Sequence, residues 1–414
     1  MKNTSKDKVC WPHLTSTTNS NMFKTVILWL HKWLGIITGV VVFILSLTGS
    51  IYTFQDELKL WAYPEKYFIS DTTNHSKTPL PLSTLLYSAQ KSLEKNQKIT
   101  RVDLYPSKNR TWVFRAIKTD EKAFGHWNYY RYYKRVFINP YTGQVQQVEN
   151  SKTEFFQLVL QLHLNLLLGK QYGHPIVAWS TAIFVLILLS GIVLWWPKKW
   201  KGKNLKRSFW LDTKVKWKRL NHDLHNVIGF YSLFIGLIFA ITGLAFTFPD
   251  FKKTYIATFN LLQSPTASST RSSPIPLPVV EKKFQDNALR YALTNYPDAE
   301  MMSIRLKKET ETAMDIQVRH HEKRSGVFDW LYYNKEENSL TAVKSSNELQ
   351  YGDKLGALNY DIHTGGIGGL TTKIIACLAS LFCASLPITG YIIWMNKSKK
   401  KKKKGYQHNV NKYC

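Results

Sequence analysis

Four long apolar runs, at roughly 26–54, 175–196, 224–248 and 370–394, constrain this chain more than any other feature. Crossing an apolar layer of about 30 Å takes on the order of 20 helical residues, and each run meets that length. No water is available there to pair a backbone N–H or C=O, so each run reads as a spanning helix. The first run is longer than the apolar stretch of a secretory leader, and no small-x-small cleavage site precedes Gln55-Asp56-Glu57. It is expected to be a retained anchor. Two polar segments, 55–153 and 249–360, dilute the runs, so whole-chain hydropathy says little.

The formal net charge is +28. In a soluble protein this would point to nucleic acid. Here the charge is concentrated between Lys198 and Arg219, where ten Lys or Arg face the single Asp212, and in the tail from Lys397 to Lys404. Both clusters abut apolar runs. Basic loops stay cytoplasmic, so they read as a topology signal with attraction to anionic lipid, and no nucleic-acid partner is expected. Both termini then lie in the cytoplasm and both polar segments outside it. Trp29, Trp33, Trp195, Trp196 and Trp394 fall at the expected inner boundary, where indoles prefer to sit. The four cysteines, Cys10, Cys377, Cys383 and Cys414, avoid both polar segments. No disulfide framework follows, and the lack of any CxxC or CxxCH argues against structural zinc and covalently attached haem.

The chain repeats itself. Residues 30–56 read LHKWLGIITGVVVFILSLTGSIYTFQD and residues 224–250 read LHNVIGFYSLFIGLIFAITGLAFTFPD. A constant offset of 194 superposes His31 on His225, Gly35 on Gly229, Thr48-Gly49 on Thr242-Gly243 and Asp56 on Asp250. The returning spans repeat too, Ser190-Gly191 with Trp195 matching Thr389-Gly390 with Trp394 at an offset of 199. Upstream, His163 precedes Gly169 as His363 precedes Gly369, at an offset of 200, one residue out of register with the helix ends. Each polar segment reads as a small α+β module. LSTLLYSAQKSLEKNQ precedes ITRVDLYP, TWVFRAIK and KRVFINP in the first; VEKKFQDNALRYALTNY precedes MMSIRLK, TAMDIQVR and FDWLYYN in the second. Ser264–Pro278, rich in Ser, Thr and Pro, reads as a linker.

The expected architecture is an integral membrane protein: an all-α transmembrane bundle of four spanning helices, two external α+β domains and an internal two-fold repeat. In chain order it comprises a cytoplasmic tail (1–25), the first span (26–54), a first external domain (55–153), a helix plus second span (154–196), and a basic cytoplasmic loop (197–221). The third span (222–248), a second external domain (249–360), the fourth span (361–395) and a Lys-rich tail (396–414) follow.

An intramembrane histidine is a functional hypothesis by default. A lone one is as well explained by a hydrogen bond to a carbonyl at a helix end, but here four recur at repeated positions. Gly35, Gly39 and Gly49 lie within about 80° of His31 around its helix, and Gly229, Gly236 and Gly243 within about 40° of His225. Close helix packing alone would produce such stripes. A flat macrocycle wedged between helices would need them too. Two axial nitrogens on one metal stand about 4 Å apart. Residues beyond His31 carry its helix about 35 Å outward, so His31 pairs with His225 near the inner face, and His163 with His363 near the outer. His222 and His174 are reserve ligands. Ligands that are all imidazole, two to a site, suit neither tetrahedral zinc nor copper and leave four equatorial positions for a porphyrin. Two haems of the b type are expected, with no open coordination position.

The paired LHxxxG…TG spans, the IHTG at Ile362–Gly365, the TGxxxW helix end and the INPYTGQV turn together resemble the PepSY-associated transmembrane helix family over nearly the whole chain. The resemblance implies PepSY-like periplasmic domains in a bacterial inner membrane. It also implies kinship with haem-containing reductases of iron-loaded siderophores, and His31, His163, His225 and His363 as haem-iron ligands. PepSY modules also occur as inhibitory propeptides, so the domain alone fixes no activity.

The expected function is therefore a transmembrane electron conduit that reduces a ferric siderophore or other ferric chelate and releases ferrous iron. No flavin or nicotinamide domain is visible, which leaves a quinol or a cytoplasmic reductase as donor. Arg115, His126, Trp127, Tyr129 and Arg131 are candidates to hold the chelate, although surface solvation also accounts for them. A second class is a non-enzymatic sensor or assembly protein whose external modules bind a peptide or protein partner.

Overall fold

The structure, a computed structural model, describes residues 17–69, 78–107, 109–197, 200–262, 274–281, 283–306, 313–321 and 324–413. Cys10, Cys414, Lys198 and most of the Ser264–Pro278 linker lie outside the described residues.

The first half runs through α1 (Thr17–Tyr52), α2 (Gln55–Ala62), α3 (Pro64–Tyr67), α4 (Leu82–Lys91), β1 (Ile99–Leu104), β2 (Trp112–Thr119), α5 (His126–Tyr129), β3 (Tyr130–Ile138), β4 (Val145–Asn150), α6 (Phe155–Asn165) and α7 (Lys170–Trp195). After α8 (Gly202–Phe209), which lies in the basic loop, the second half repeats the order. It comprises α9 (Trp217–Thr247), α10 (Pro249–Asn260), β5 (Ile275–Pro276), α11 (Phe284–Asn295), β6 (Met301–Arg305), β7 (Ala313–His321), β8 (Arg324–Asn334), β9 (Ser339–Ser345), α12 (Tyr351–His363) and α13 (Leu370–Tyr413).

Among the described residues, four helices are long and apolar enough to cross a membrane: Met22–Tyr52, Lys170–Trp195, Trp217–Thr247 and Leu370–Ser398. The chain is a membrane protein. α1 packs against α7 and α13, and α9 against the same two, so α1 and α9 stand at opposite corners of the bundle. Some of the small residues serve this packing. A Cβ built at Gly39 would meet the Tyr391 ring at 3.1 Å, and one at Gly236 would meet Leu188 and Cys383. Trp29, Trp33 and Trp196 are exposed on the bundle surface, and Trp195 stacks on Phe230 at 4.1 Å.

Each returning span is preceded by a short helix that stops abruptly. Glu154 caps α6, its carboxylate accepting from the N–H groups of Phe156 and Gln157, and the helix ends where Leu166 and Leu167 turn left-handed, at φ 55° and 59°. Gly173 allows α7 to return tightly over that end, since a Cβ there would run into the carbonyl of Asn165. In the second half α12 breaks at Gly365, φ 74°, before α13 begins. His163 and His363 thus both sit in the last turn of a short helix.

The extramembrane strands form one antiparallel sheet, in the order β4-β3-β2-β1-β6-β7-β8-β9-β5. The sequence suggested two separate modules; β1 and β6 instead join them edge to edge, Asp103 opposite Ser303 and Val102 opposite Ile304. Strand periodicity of two divides the faces. Val102, Leu104, Phe114, Val136, Ile304 and Ile316 pack under α4 and α11 in a core from which water is excluded. The alternate residues, including Arg101, Arg115, Tyr133 and Arg135, line a cavity on the other face, with Asp103 buried behind Arg101 and Arg115.

Candidate functional site: two imidazole pairs and a basic cavity

His31 on α1 and His225 on α9 approach with ring centres 6.2 Å apart and ring planes at 86°. His163 on α6 and His363 on α12 approach at 6.1 Å and 71°. The first pair lies far from the sheet and the second beside it. On α1, His31 and Thr48 are 17 residues apart, as are His225 and Thr242 on α9. At about 1.5 Å per residue the two layers are separated by about 25 Å.

One device holds all four rings. Nδ1 of His31 bonds the Ser190 hydroxyl at 2.9 Å, that of His225 bonds Thr389 at 2.8 Å, that of His163 bonds Thr48 at 3.0 Å and that of His363 bonds Thr242 at 2.7 Å. Each hydroxyl spends its own hydrogen on a carbonyl one turn back in its helix, those of Ile187, Ser385, Ile44 and Ile238 respectively. The hydroxyl oxygen therefore accepts, Nδ1–H donates, and the neutral ring keeps its lone pair on Nε2. A metal-binding imidazole is commonly fixed in this way, one nitrogen bonded to the protein and the other presented to the ligand. The next residue in each case is glycine. A Cβ at Gly191, Gly390, Gly49 or Gly243 would stand 3.5, 3.4, 3.3 or 3.8 Å from Cε1 of the ring its neighbour holds.

The four Ser/Thr-Gly dipeptides are legible in the sequence as a repeat, but their role is not, because each reaches a histidine on another helix. The one-residue slip of the second pair arises in the spans after Gly169 and Gly369, since His163–Gly169 and His363–Gly369 are equally spaced, so the slip leaves the pairing geometry alone. Gly35 has no atom within 4 Å of its Cβ position, and Gly229 only Leu386 at 3.8 Å. The reserve ligands stay apart from both pairs. His222 is exposed and bonds Asn226, and His174 lies in the first turns of α7.

A metal–imidazole bond of about 2 Å on each side, plus about 1.1 Å from nitrogen to ring centre, puts two trans imidazoles about 6 Å apart centre to centre. Both pairs have that separation. Among the described residues no group of three or more His, Cys, Asp or Glu comes together. The donor set of each layer is two imidazoles, which fits an iron porphyrin held from both faces.

Beside the sheet-proximal pair lies the second feature, a cavity of about 490 Å³ between the sheet and the ends of α1, α2, α6 and α12. Its wall carries Lys59, Arg101, Arg110, Arg115, Arg135 and Arg319 against one lining carboxylate, Asp56. Asp103, wholly buried, accepts ion pairs from Arg101 at 2.9 Å and Arg115 at 2.5 Å, and Glu149 binds Lys66 and Arg135. The field is strong enough to reverse an ordinary effect. Burial should raise the Tyr133 phenol, yet Arg135 and Arg115 hold its pKa below the usual value.

The five residues suggested as a chelate site do not converge. Arg115 lines the cavity. His126 is buried against the Lys152 carbonyl at 2.8 Å, Trp127 is exposed, Tyr129 bonds Glu121, and Arg131 on β3 pairs with Asp120 just after β2. Alternation in RVDLY and WVFRA marks the cavity wall better, because Arg101, Asp103 and Arg115 take the face opposite Val102, Leu104 and Phe114.

Each half of the chain contributes one imidazole to each pair and anchors it with its own hydroxyl, so neither half holds a complete pair. The class this defines is a membrane protein made of two fused, histidine-bearing repeats with a shared extramembrane sheet. The chain belongs to the PepSY-associated TM region family, whose profile matches residues 28–397. No curated protein shows a significant match.

Proposed function

We propose that the protein is a di-haem electron conduit of a bacterial inner membrane. It would hold b-type haems between His31 and His225 near the cytoplasmic face and between His163 and His363 near the periplasmic face. Its electrons would come from a quinol or a cytoplasmic reductase and reduce a ferric siderophore or other ferric chelate in the periplasm, freeing ferrous iron for uptake. The observation that carries this reading is the spacing of about 6 Å in both pairs, together with an Nδ1 bonded to a hydroxyl in all four rings. Bound there, between His31 and His225 and between His163 and His363, haem would supply one-electron redox chemistry. The protein's part is to orient the imidazoles, exclude water from the rings and set ligand basicity through the hydroxyls. No general acid or nucleophile is required. The termini and the basic loop would face the cytoplasm, and the sheet the periplasm, as the charge distribution directs.

The test is the dithionite-reduced minus oxidised absorption spectrum of purified protein, with haem content per chain. Two haems per wild-type chain are expected, and one each in His31→Ala and His363→Ala. A colourless preparation from haem-replete cells, or unchanged haem in both variants, would refute the assignment.

A further inference from the structure

We infer that the cavity between the sheet and the helix ends binds a small molecule bearing several oxyanion groups, carboxylate or phosphate. The site deepens the proposed function by giving the charge class of the electron acceptor. Only the ligand's role as acceptor rests on that reading; binding itself does not require the imidazole pairs to be loaded.

Size is the first argument. About 490 Å³ falls within the range of small-molecule sites and is far too large for a single ordered ion. Charge is the second. Six cations line the space against one lining carboxylate, Asp56, while Asp103 and Glu149 behind the wall are shared among Arg101, Arg115, Arg135 and Lys66. Arg319 has only the Gln317 side-chain oxygen and the Met301 sulfur as hydrogen-bonding partners among the described residues. Arg101 shares Asp103 with Arg115 and so is only partly neutralised. Buried charge without a counter-charge is costly, and a polyanion would remove that cost.

Hydrogen-bonding capacity is the third argument. The Nε–H groups of Arg115 and Arg135 are buried with no acceptor among the described residues. Guanidinium groups offer paired N–H donors that match a carboxylate or phosphate edge. Tyr52, Tyr67 and Tyr133 add phenol groups, while the Tyr360 and Ser325 hydroxyls are already bonded to Tyr52 and Asp361. Seven aromatic rings line the space, these four tyrosines with Tyr105, Phe137 and Phe156, and provide flat apolar surface for the carbon skeleton of an organic anion. Tyr52 ends α1 four residues after Thr48, and Tyr360 lies three residues before His363, so a ligand in the cavity would rest directly above the sheet-proximal pair.

The test is isothermal titration of purified full-length protein in detergent at low and moderate salt, with citrate as tricarboxylate probe and pyrophosphate as phosphate probe. One site per chain is expected, weakening as salt rises and losing at least tenfold in affinity in Arg319→Gln and in Arg101→Gln. Arg101→Lys should recover part of the loss. Arg290→Gln, on the exposed face of α11, should leave affinity unchanged. Binding of citrate alone assigns a carboxylate ligand and of pyrophosphate alone a phosphate ligand, and binding of both supports the shared oxyanion chemistry. Failure of both probes, or binding unmoved by either arginine substitution in folded protein, overturns the proposal. His363→Ala should still bind the probe, so loss of haem and loss of the anion site are separately readable.

Discussion

Ser190 and His31, 159 residues apart in the chain, are joined by a 2.9 Å hydrogen bond in which the serine hydroxyl fixes which ring nitrogen stays free. Thr389 does the same for His225, Thr48 for His163 and Thr242 for His363, so the anchors act within a repeat while the pairs form between repeats. The hydroxyl is thus as much a part of each site as the imidazole.

Removing one anchor should loosen one layer only. Ser190→Ala is expected to weaken the His31/His225 haem, and Thr242→Val the His163/His363 haem, each by about 10–100-fold, the usual loss when a ligand's supporting bond is removed. Transfer of haem to apomyoglobin measures this. Equal release from both layers in either variant would count against the anchoring role.

The glycine after each hydroxyl should be sterically indispensable. Gly191→Leu would project three carbons beyond a Cβ already 3.5 Å from the His31 ring, and Gly243→Leu beyond one 3.8 Å from His363. Each variant should lose one haem of two, read from the pyridine haemochrome, while Gly202→Leu, in the basic loop, loses none.

His222 and His174 serve as internal controls. His222 is exposed and bonded to Asn226, and His174 joins neither pair. Alanine at either position should leave haem content and the reduced spectrum unchanged; a lost band in His222→Ala would reassign the sheet-distal ligand.

Asp361 ties the sheet to the helix that carries His363. Wholly buried, it accepts from the N–H groups of Ser325 and Gly326 at 2.8 Å each and from the Ser325 hydroxyl at 3.1 Å. Asp361→Ala strands two buried donors and should cost on the order of 3 kcal/mol. Thermal unfolding of the detergent-solubilised protein should show the loss, with Asp361→Asn less affected.

Lys59 gives the cavity a pH dependence. Burial, and then the Arg135 charge, push its ammonium down to about 8; Glu154 and Asp56 oppose that shift and Arg115 adds to it. The lysine is therefore charged below that value and neutral above it. Citrate affinity should fall as pH rises from 7 to 9, and Lys59→Met should flatten the profile. An unchanged slope in Lys59→Met would assign the dependence to another group.

Much of this was readable in the chain. The spans follow from apolar length, and the histidine pairing from a constant offset combined with helical rise. The helices extend past the apolar runs, starting near Lys170 and Trp217, because polar residues at a membrane boundary continue a helix as readily as leucine does. The role of Ser190 and Thr389 was not readable, since a contact between helices 159 or 164 residues apart leaves no local spacing. The pairing of β1 with β6 was hidden for the same reason, because an exposed strand edge does not declare its partner. The sheet's polar face was encoded in alternation, yet Arg115 read alone gave no sign of which exposed-looking residues share its cavity.

The junction between β1 and β6 brings Asp103 and Ser303, 200 residues apart, into a 2.7 Å hydrogen bond near the centre of the pseudo-two-fold arrangement. A half-length chain would expose β1 as an unpaired edge and offer a single imidazole at each depth. Two such chains related by an isologous contact would close the edge and complete both pairs at once. Gene duplication followed by fusion would therefore have preserved a working symmetric dimer, and the two halves co-expressed as separate polypeptides carry the complementary surfaces needed to reassemble.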